Sequence, residues 1–102
     1  MPVTYAVHNR DLTLSFTGEI DHHGARGLLR SLDEELDAVL PRTLTVDLSR
    51  VSFMDSAGIA VLLRLWQRME ALGGAMRVRG LGEQPGRVLR AAGLERLIPM
   101  DA

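Results

Sequence analysis

Apolar residues in this chain alternate between two spacings, and this alternation limits the fold more than any other feature of the sequence. Segments with an apolar residue at every second position, typical of strands, are separated by segments with apolar residues three and four positions apart, typical of helices. The predicted strands are residues 3–8, 12–17, 44–48, 75–79 and 96–100. The predicted helices are one that Asp21 caps and Pro41 ends, one over residues 56–72, and a short one over residues 87–92.

The resulting order, β-β-α-β-α-β-α-β, predicts an α/β fold in a single domain that spans residues 1–102. The first two strands are joined by a turn at residues 9–11, so we expect them to pair as an antiparallel hairpin. Strands that a helix separates favour parallel pairing. We therefore expect a mixed β-sheet, with an N-terminal hairpin plus parallel strands, and with the helices packed against it.

Composition argues against several classes of protein. The longest apolar run, residues 59–63, is five residues long, whereas a membrane-spanning helix needs about 20. Cysteine is absent, and the first residues lack the pattern of a signal peptide, so we expect a cytoplasmic protein without disulfides. The 12 basic residues, all arginine, are balanced by 13 acidic residues, and only 4% of residues are aromatic. That balance argues against direct binding of nucleic acid.

The stretch SFMDSAGIAVLLRL, residues 52–65, passes from a strand into an apolar helix, with Asp55 and Ser56 at the junction. Such a junction lies at the carboxyl end of a sheet, where α/β proteins tend to have their sites, and the first N–H groups of the helix point there. The small neighbours Ala57 and Gly58 leave the Ser56 hydroxyl uncovered. Two interpretations stay open on these residues alone. Either Asp55 or Ser56 only caps the helix, or Ser56 is a functional site.

A second polar cluster, Asp21-His22-His23, precedes the first long helix. A zinc site is disfavoured because adjacent histidines at a helix start point apart and the sequence has no second ligand cluster. A hydrolase that uses Ser56 is also disfavoured, since the G-x-S-x-G motif is missing and no oxyanion-hole segment is recognisable. The remaining interpretation of the cluster is a solvated loop in which Asp21 caps the helix.

Three motifs together carry a resemblance to a known family. They are GEIDHH, DLSRVSFMDSAGIAVLL and the late segment PGRVLRAAGLERLI. With these motifs the chain resembles the STAS domain of bacterial anti-sigma factor antagonists, and above all the sporulation members that oppose the anti-sigma F factor. The resemblance extends from about residue 12 to residue 98. It implies a single STAS-like domain.

The resemblance also implies a function and a set of site residues. Ser56 would be phosphorylated by a partner that is both a serine kinase and an anti-sigma factor. The unphosphorylated chain would bind that partner and release the sigma factor, and a serine phosphatase would reverse the phosphorylation. The chain itself would be no enzyme and would need no cofactor, because the partner binds ATP and Mg²⁺. The residues implied in partner binding are Asp21, His22, His23, Asp55, Ser56, Ala57 and Gly58.

Some features leave alternatives or depart from the family pattern. The same fold could serve as a subunit of a transporter ATPase or of a stress-signalling assembly, and a small hydrolase is the third hypothesis. Relatives often have Ser or Thr after the phosphorylated serine, whereas this chain has Ala57 and so lacks a competing acceptor. Relatives of the sporulation type carry a further C-terminal helix, which would follow Ala102. We expect a monomer when the chain is free.

Overall fold

The chain forms a sheet with helices between its strands, as the computed structural model of residues 3–101 shows. The strands in the described part of the chain are β1 (Val3–His8), β2 (Asp11–Ile20), β3 (Thr43–Met54) and β4 (Ala75–Arg79). The helices there are α1 (Leu28–Val39), α2 (Ser56–Leu72) and α3 (Glu83–Ala91), followed by a 3-10 turn at Leu94–Arg96.

The strands lie in the order β1-β2-β3-β4. β1 pairs with β2 in the antiparallel sense, from Val3 opposite Phe16 to His8 opposite Asp11. β2 pairs with β3, and β3 with β4, in the parallel sense. The α/β fold class and the mixed sheet with an N-terminal hairpin plus parallel strands are thereby confirmed.

Helices cover one face of the sheet. Both parallel crossovers advance across the sheet in the same direction, and the right-handed rule then places α1 and α2 on the same face. Alternate strand residues and one stripe of each helix form a single buried cluster, and the residues between them on the strands face the other way. The cluster includes Leu12, Leu14, Phe16, Leu44, Val46, Leu48, Met76 and Val78 from the sheet, Leu28, Leu32 and Leu36 from α1, and Val61, Leu62, Leu65 and Met69 from α2.

The outer sides of α1 and α2 are joined by ion pairs. The Asp33 carboxylate accepts from Arg64 Nη2 at 2.9 Å and lies 3.1 Å from Arg68 Nη1. Arg68 also pairs with Asp37. The hydrogen bond from Arg64, aided by the charges of both arginines, lowers the pKa of Asp33 below its ordinary value.

The last predicted strand is reduced to a single bridge. Residues 96–100 were expected to form a strand, but only Met100 bridges Val78, in the parallel sense. Gly93, at a φ of 77°, starts the 3-10 turn, and the N–H of Ile98 still donates to the carbonyl of Leu94 at 2.9 Å. The backbone is therefore coiled until Ile98, which leaves too little extended chain for a strand.

Several other bounds differ from the predictions. β2 runs past residue 17 to Ile20, and β3 runs past residue 48 to Met54. α1 begins only at Leu28, after a stretch of turns at residues 22–27, and α3 begins at Glu83, earlier than expected. β1, β4 and α2 have the predicted bounds.

Asp33→Asn should lower the free energy of unfolding at pH 7 by about 0.5–1 kcal/mol, because it removes the charge that joins α1 to α2. The folded-state pKa of Asp33 lies below its ordinary value of 3.8. The stabilisation is therefore complete above about pH 5 and disappears as the pH falls through the lowered pKa. Urea titrations from pH 7 to pH 2 measure the difference between wild type and variant.

The matched control is Glu70→Gln, which neutralises an exposed carboxylate of α2 that has no ion pair within residues 3–101. It should change stability little at either pH. A difference between wild type and Asp33→Asn that stays constant from pH 7 to pH 2 would contradict the assignment.

Candidate functional site

The two polar clusters are neighbours because two parallel strands end together. Ile20, the last residue of β2, is the register partner of Met54, the last residue of β3. The next residues, Asp21 and Asp55, therefore leave the sheet side by side at its carboxyl end. The backbone N–H of Asp55 confirms the closeness, since it donates to the carbonyl of Ile20 at 3.2 Å.

Asp55 caps α2 and also holds the neighbouring turn. Its backbone is extended, and its Oδ1 accepts from the N–H of Ala57 at 2.8 Å, as expected of an N-cap residue. Its Oδ2 accepts from the N–H of His22 at 3.1 Å. One carboxylate thus ties the helix start to the Asp21–His23 cluster, and the capping role belongs to Asp55 and not to Ser56.

Asp21 shapes a turn instead of capping a helix. Its Oδ1 accepts from the N–H of Gly24 at 2.7 Å, and its carbonyl accepts from the N–H of Ala25 at 3.0 Å. The expectation that Asp21 caps the first long helix was wrong, because Gly27, in the left-handed region at a φ of 79°, lies between this turn and α1. His22 and His23 are exposed on the turn, with their rings edge to face.

Ser56 presents an exposed hydroxyl at the first position of α2. No hydrogen bond joins its Oγ to another residue of the range 3–101, and the imidazole of His22 is not bonded to it. The N–H groups that follow are already satisfied, since Ala57 donates to Asp55 Oδ1 and Gly58 donates to the Asp55 carbonyl at 3.0 Å. The hydroxyl is therefore free to react with a group that approaches from solvent.

The two small residues after Ser56 have different surroundings. Ala57 is partly exposed, whereas Gly58 is buried. A Cβ on Gly58 would lie 2.3 Å from Met54 Cγ, so the absence of a side chain there lets α2 pack closely on the end of β3. The resemblance implied Gly58 in partner binding; in the structure Gly58 is buried, and its small size serves the packing of α2 on Met54.

A groove of about 380 Å³ runs between the Asp21 turn and the start of α2. Its lining is mostly apolar. Arg26 and Leu29, which sequence reasoning missed, contribute to it, and Arg26 has no ion pair within residues 3–101. The lining residues are His22, Ala25, Arg26, Leu29, Ser56, Ala57, Ala60 and Val61.

Gln84 is a further residue of the site that sequence reasoning missed. Its Oε1 accepts from the N–H of Met54 at 2.8 Å, and its Nε2 donates to the carbonyl of Met54 at 2.9 Å. β4 pairs with β3 only as far as Asp47, so these backbone groups have no strand beside them. Leaving a buried backbone group unpaired costs about 1–3 kcal/mol. The Gln84 amide avoids this cost because it bonds both groups of Met54, as a neighbouring strand would.

The site offers no metal ligands in the usual arrangement. Within residues 3–101, no group of three or more His, Cys, Asp or Glu side chains is placed to hold a metal ion. The helices of this range are also too short or too polar to cross a membrane.

Asp55→Ala should destabilise the fold by about 2 kcal/mol, since it removes both the helix cap and the link to the turn. Asp55→Asn is the matched variant, because an asparagine caps about as well as an aspartate. The amide protons of His22 and Ala57 should exchange faster in Asp55→Ala, and that of Ala57 should stay protected in Asp55→Asn. Unchanged exchange at His22 in Asp55→Ala would show that the carboxylate does not hold the turn.

Comparisons with known proteins identify relatives of this chain. The anti-sigma F factor antagonist of Paenibacillus polymyxa is 28% identical over 93 residues, which cover 91% of this chain and 80% of the relative. The anti-sigma-B factor antagonist of Bacillus subtilis (strain 168) is 27% identical over 95 residues, which cover 93% of this chain and 85% of the relative.

The fold is also that of a solved antagonist. The unphosphorylated form of the anti-sigma factor antagonist SpoIIAA superposes with a TM-score of 0.85 at 24% identity, over 99% of this chain and 88% of that one. Its phosphorylated form, from Bacillus, superposes with a TM-score of 0.75 at 24% identity, over 99% and 91%. The sequence model of the STAS domain matches residues 2–102. Because that match includes nearly every residue, the chain belongs to the STAS domain family.

Proposed function

We propose that this chain is an anti-sigma factor antagonist that phosphorylation of Ser56 switches off. In the unphosphorylated state it binds an anti-sigma factor with serine kinase activity and releases the sigma factor. The observation that carries the proposal is the Ser56 hydroxyl, which is exposed and unbonded within the described chain while Asp55 performs the capping. The two curated relatives are antagonists by name, one of an anti-sigma F factor and one of an anti-sigma-B factor.

The chemistry requires little of this chain. Ser56 Oγ attacks the γ-phosphorus of ATP held with Mg²⁺ by the kinase; the new O–P bond forms as the bond to the ADP oxygen breaks. The hydroxyl proton passes to a base of the kinase. This chain supplies a hydroxyl with no internal hydrogen bond to break, and it acts as a substrate and binding partner instead of an enzyme.

The added charge weakens partner binding more than it destabilises the fold. A phosphoserine carries nearly two negative charges, and the helix dipole stabilises an anion at this end by only about 0.3–1 kcal/mol. The N–H groups of Ala57 and Gly58 are occupied, so they are unavailable to hold the phosphate. Two unit charges about 6 Å apart repel by about 1.5–3 kcal/mol at an effective dielectric of 20–40, and Asp55 and Asp21 both add to this. In the free chain water screens the repulsion.

In the complex with the partner, the phosphate would lose this contact with water. Losing about 4 kcal/mol of binding energy weakens an affinity by about a thousandfold, which is enough to release the partner. The docking surface consists of the groove between the Asp21 turn and α2, where Arg26 adds a positive charge beside apolar side chains. We assign Asp21, His22, His23, Asp55, Ser56, Ala57 and Gly58 to partner binding. The fact that His22, Ser56 and Ala57 line this groove, and that Asp55 is bonded to His22 and Ala57, supports the assignment.

We assign the pathway to sporulation, on the resemblance of the Asp21-His22-His23 turn to the antagonists of the anti-sigma F factor. The two relatives are almost equally similar, at 28% and 27% identity, so the assignment rests on the turn. A serine phosphatase would restore the active form, and the switch would operate in the cytoplasm, where ATP is available to the kinase. Binding of this chain to a stress-type kinase but not to a sporulation-type kinase from the same genome would reverse the assignment.

Phosphorylation should occur at Ser56 alone. Incubation of the chain with ATP, Mg²⁺ and a candidate kinase from the same genome should give one phosphate, which mass spectrometry of peptides locates. Ser56→Ala should abolish labelling, and Ser52→Ala, which removes another exposed hydroxyl four residues earlier, should leave it unchanged. A phosphate on any other residue would overturn the proposal.

Charge at position 56 should control binding. Ser56→Ala should bind the ADP-loaded kinase as tightly as the unphosphorylated chain, because the hydroxyl has no structural partner in the described chain. Ser56→Asp adds about half the charge of a phosphate, and half of about 4 kcal/mol corresponds to about thirtyfold weaker binding. Isothermal titration calorimetry measures both affinities.

The control for this comparison is Gln67→Glu, which adds the same charge at an exposed position of α2 that does not line the groove and lies about 16 Å along the helix from Ser56. It should leave the affinity within about twofold of wild type, because exposed charges more than about 10 Å apart are largely screened. Equal binding by Ser56→Asp and wild type would show that charge at this position is not the switch.

A further inference from the structure

The peptide group between Met54 and Asp55, from which α2 begins, is held from both sides. On the side of β2, its N–H donates to the carbonyl of Ile20 at 3.2 Å. On the opposite side, its carbonyl accepts from Gln84 Nε2 at 2.9 Å. Gln84 Oε1 accepts from the preceding N–H, that of Met54, at 2.8 Å. The plane of this peptide group is therefore fixed by one strand and one side chain.

The Gln84 side chain belongs to a helix that is packed into the core. Gln84 is the second residue of α3 and is partly buried, and the next two residues of the helix, Pro85 and Gly86, are buried. Leu89, one turn later, is 0% exposed and belongs to the same core as Met54. The amide therefore links α3 to the end of β3, although α3 and Ser56 are almost 30 residues apart in the sequence.

The orientation of Ser56 depends on this peptide group. Asp55 is extended and Ser56 is already helical, so the direction in which the Ser56 hydroxyl leaves the surface follows from the plane of the Met54–Asp55 peptide and the Asp55 cap. The cap holds this junction on the helix side through Ala57, and it also bonds the turn after β2 through His22. Only Gln84 holds it on the side away from β2, among residues 3–101.

We propose that Gln84 is a positioning residue for Ser56, and that α3 is coupled through its amide to the presentation of the hydroxyl. The inference rests on the proposed function, because it concerns how Ser56 is offered to the kinase. A misplaced nucleophile reduces the rate of transfer more than it reduces binding, since a displacement of about 1 Å can cost up to a hundredfold in rate. Loss of the amide should therefore act on kcat more than on KM.

The test compares Gln84→Ala with Gln67→Ala. Gln67 is an exposed glutamine of α2 whose side chain has no hydrogen bond within residues 3–101, so its loss controls for the substitution itself. The kcat for phosphorylation of Ser56 by the candidate kinase should fall at least tenfold in Gln84→Ala, with KM changed less than threefold. The Met54 amide proton should exchange at least tenfold faster. Gln67→Ala should match wild type in all three.

Different results would contradict the inference about Gln84 and the proposed function. Labelling of wild type at Ser56 together with an unchanged kcat for Gln84→Ala would overturn the inference alone. Absence of label at Ser56 in wild type would overturn the proposed function, and the inference with it. If Gln84→Ala does not fold, Gln84→Glu replaces it in the test. The Glu carboxylate still accepts from the Met54 N–H, but it has no N–H to donate to the Met54 carbonyl and places an oxygen next to it. A kcat equal to wild type in a folded Gln84→Glu would then overturn the inference.

Discussion

The Asp55 carboxylate is the group on which the candidate site depends. Its two oxygens accept N–H groups from two elements that are distant in sequence, Ala57 at the start of α2 and His22 in the turn after β2. A carboxylate with one oxygen for each partner can cap a helix and hold a turn at once, which a serine hydroxyl in its place would do less well. Because Asp55 performs both tasks, the Ser56 side chain is not needed for either, and it makes no hydrogen bond within residues 3–101.

The regular elements could be predicted from the sequence, and the edges that form the site could not. β1 and β4 alternate, and α2 is a long, mostly apolar segment with clear ends, such as Gly73, at a φ of 70°, after its last residue. In the second half of β3 the alternation fails: the buried residues Leu48, Val51 and Met54 are three positions apart, because β3 has one extra residue opposite β2 after Ser15 and another after Gly18. β2 keeps its alternation of buried positions, but Gly18 interrupts the apolar series between Phe16 and Ile20. Each strand therefore loses its regular apolar signal in the residues that lead to the site.

These interruptions explain why only the resemblance grouped Asp21 with Asp55. With strands that end at residues 17 and 48, the two clusters are separated by loops of undefined course. With strands that end at Ile20 and Met54, which are register partners, the clusters must be adjacent. Gln84 was hidden for a different reason: a side-chain amide that replaces a strand leaves no periodic signal in the sequence.

A charge switch suits a junction that is fixed in this way. The peptide group before Asp55 is held from both sides, Gly58 packs on Met54, and ion pairs join the outer sides of α1 and α2. A phosphate on Ser56 would break none of these contacts, since the hydroxyl takes part in none of them. The added charge would then weaken binding at the interface with the partner, where water is excluded. It would not lower the stability of the fold. Under the proposed function, release of the partner needs no rearrangement of this chain.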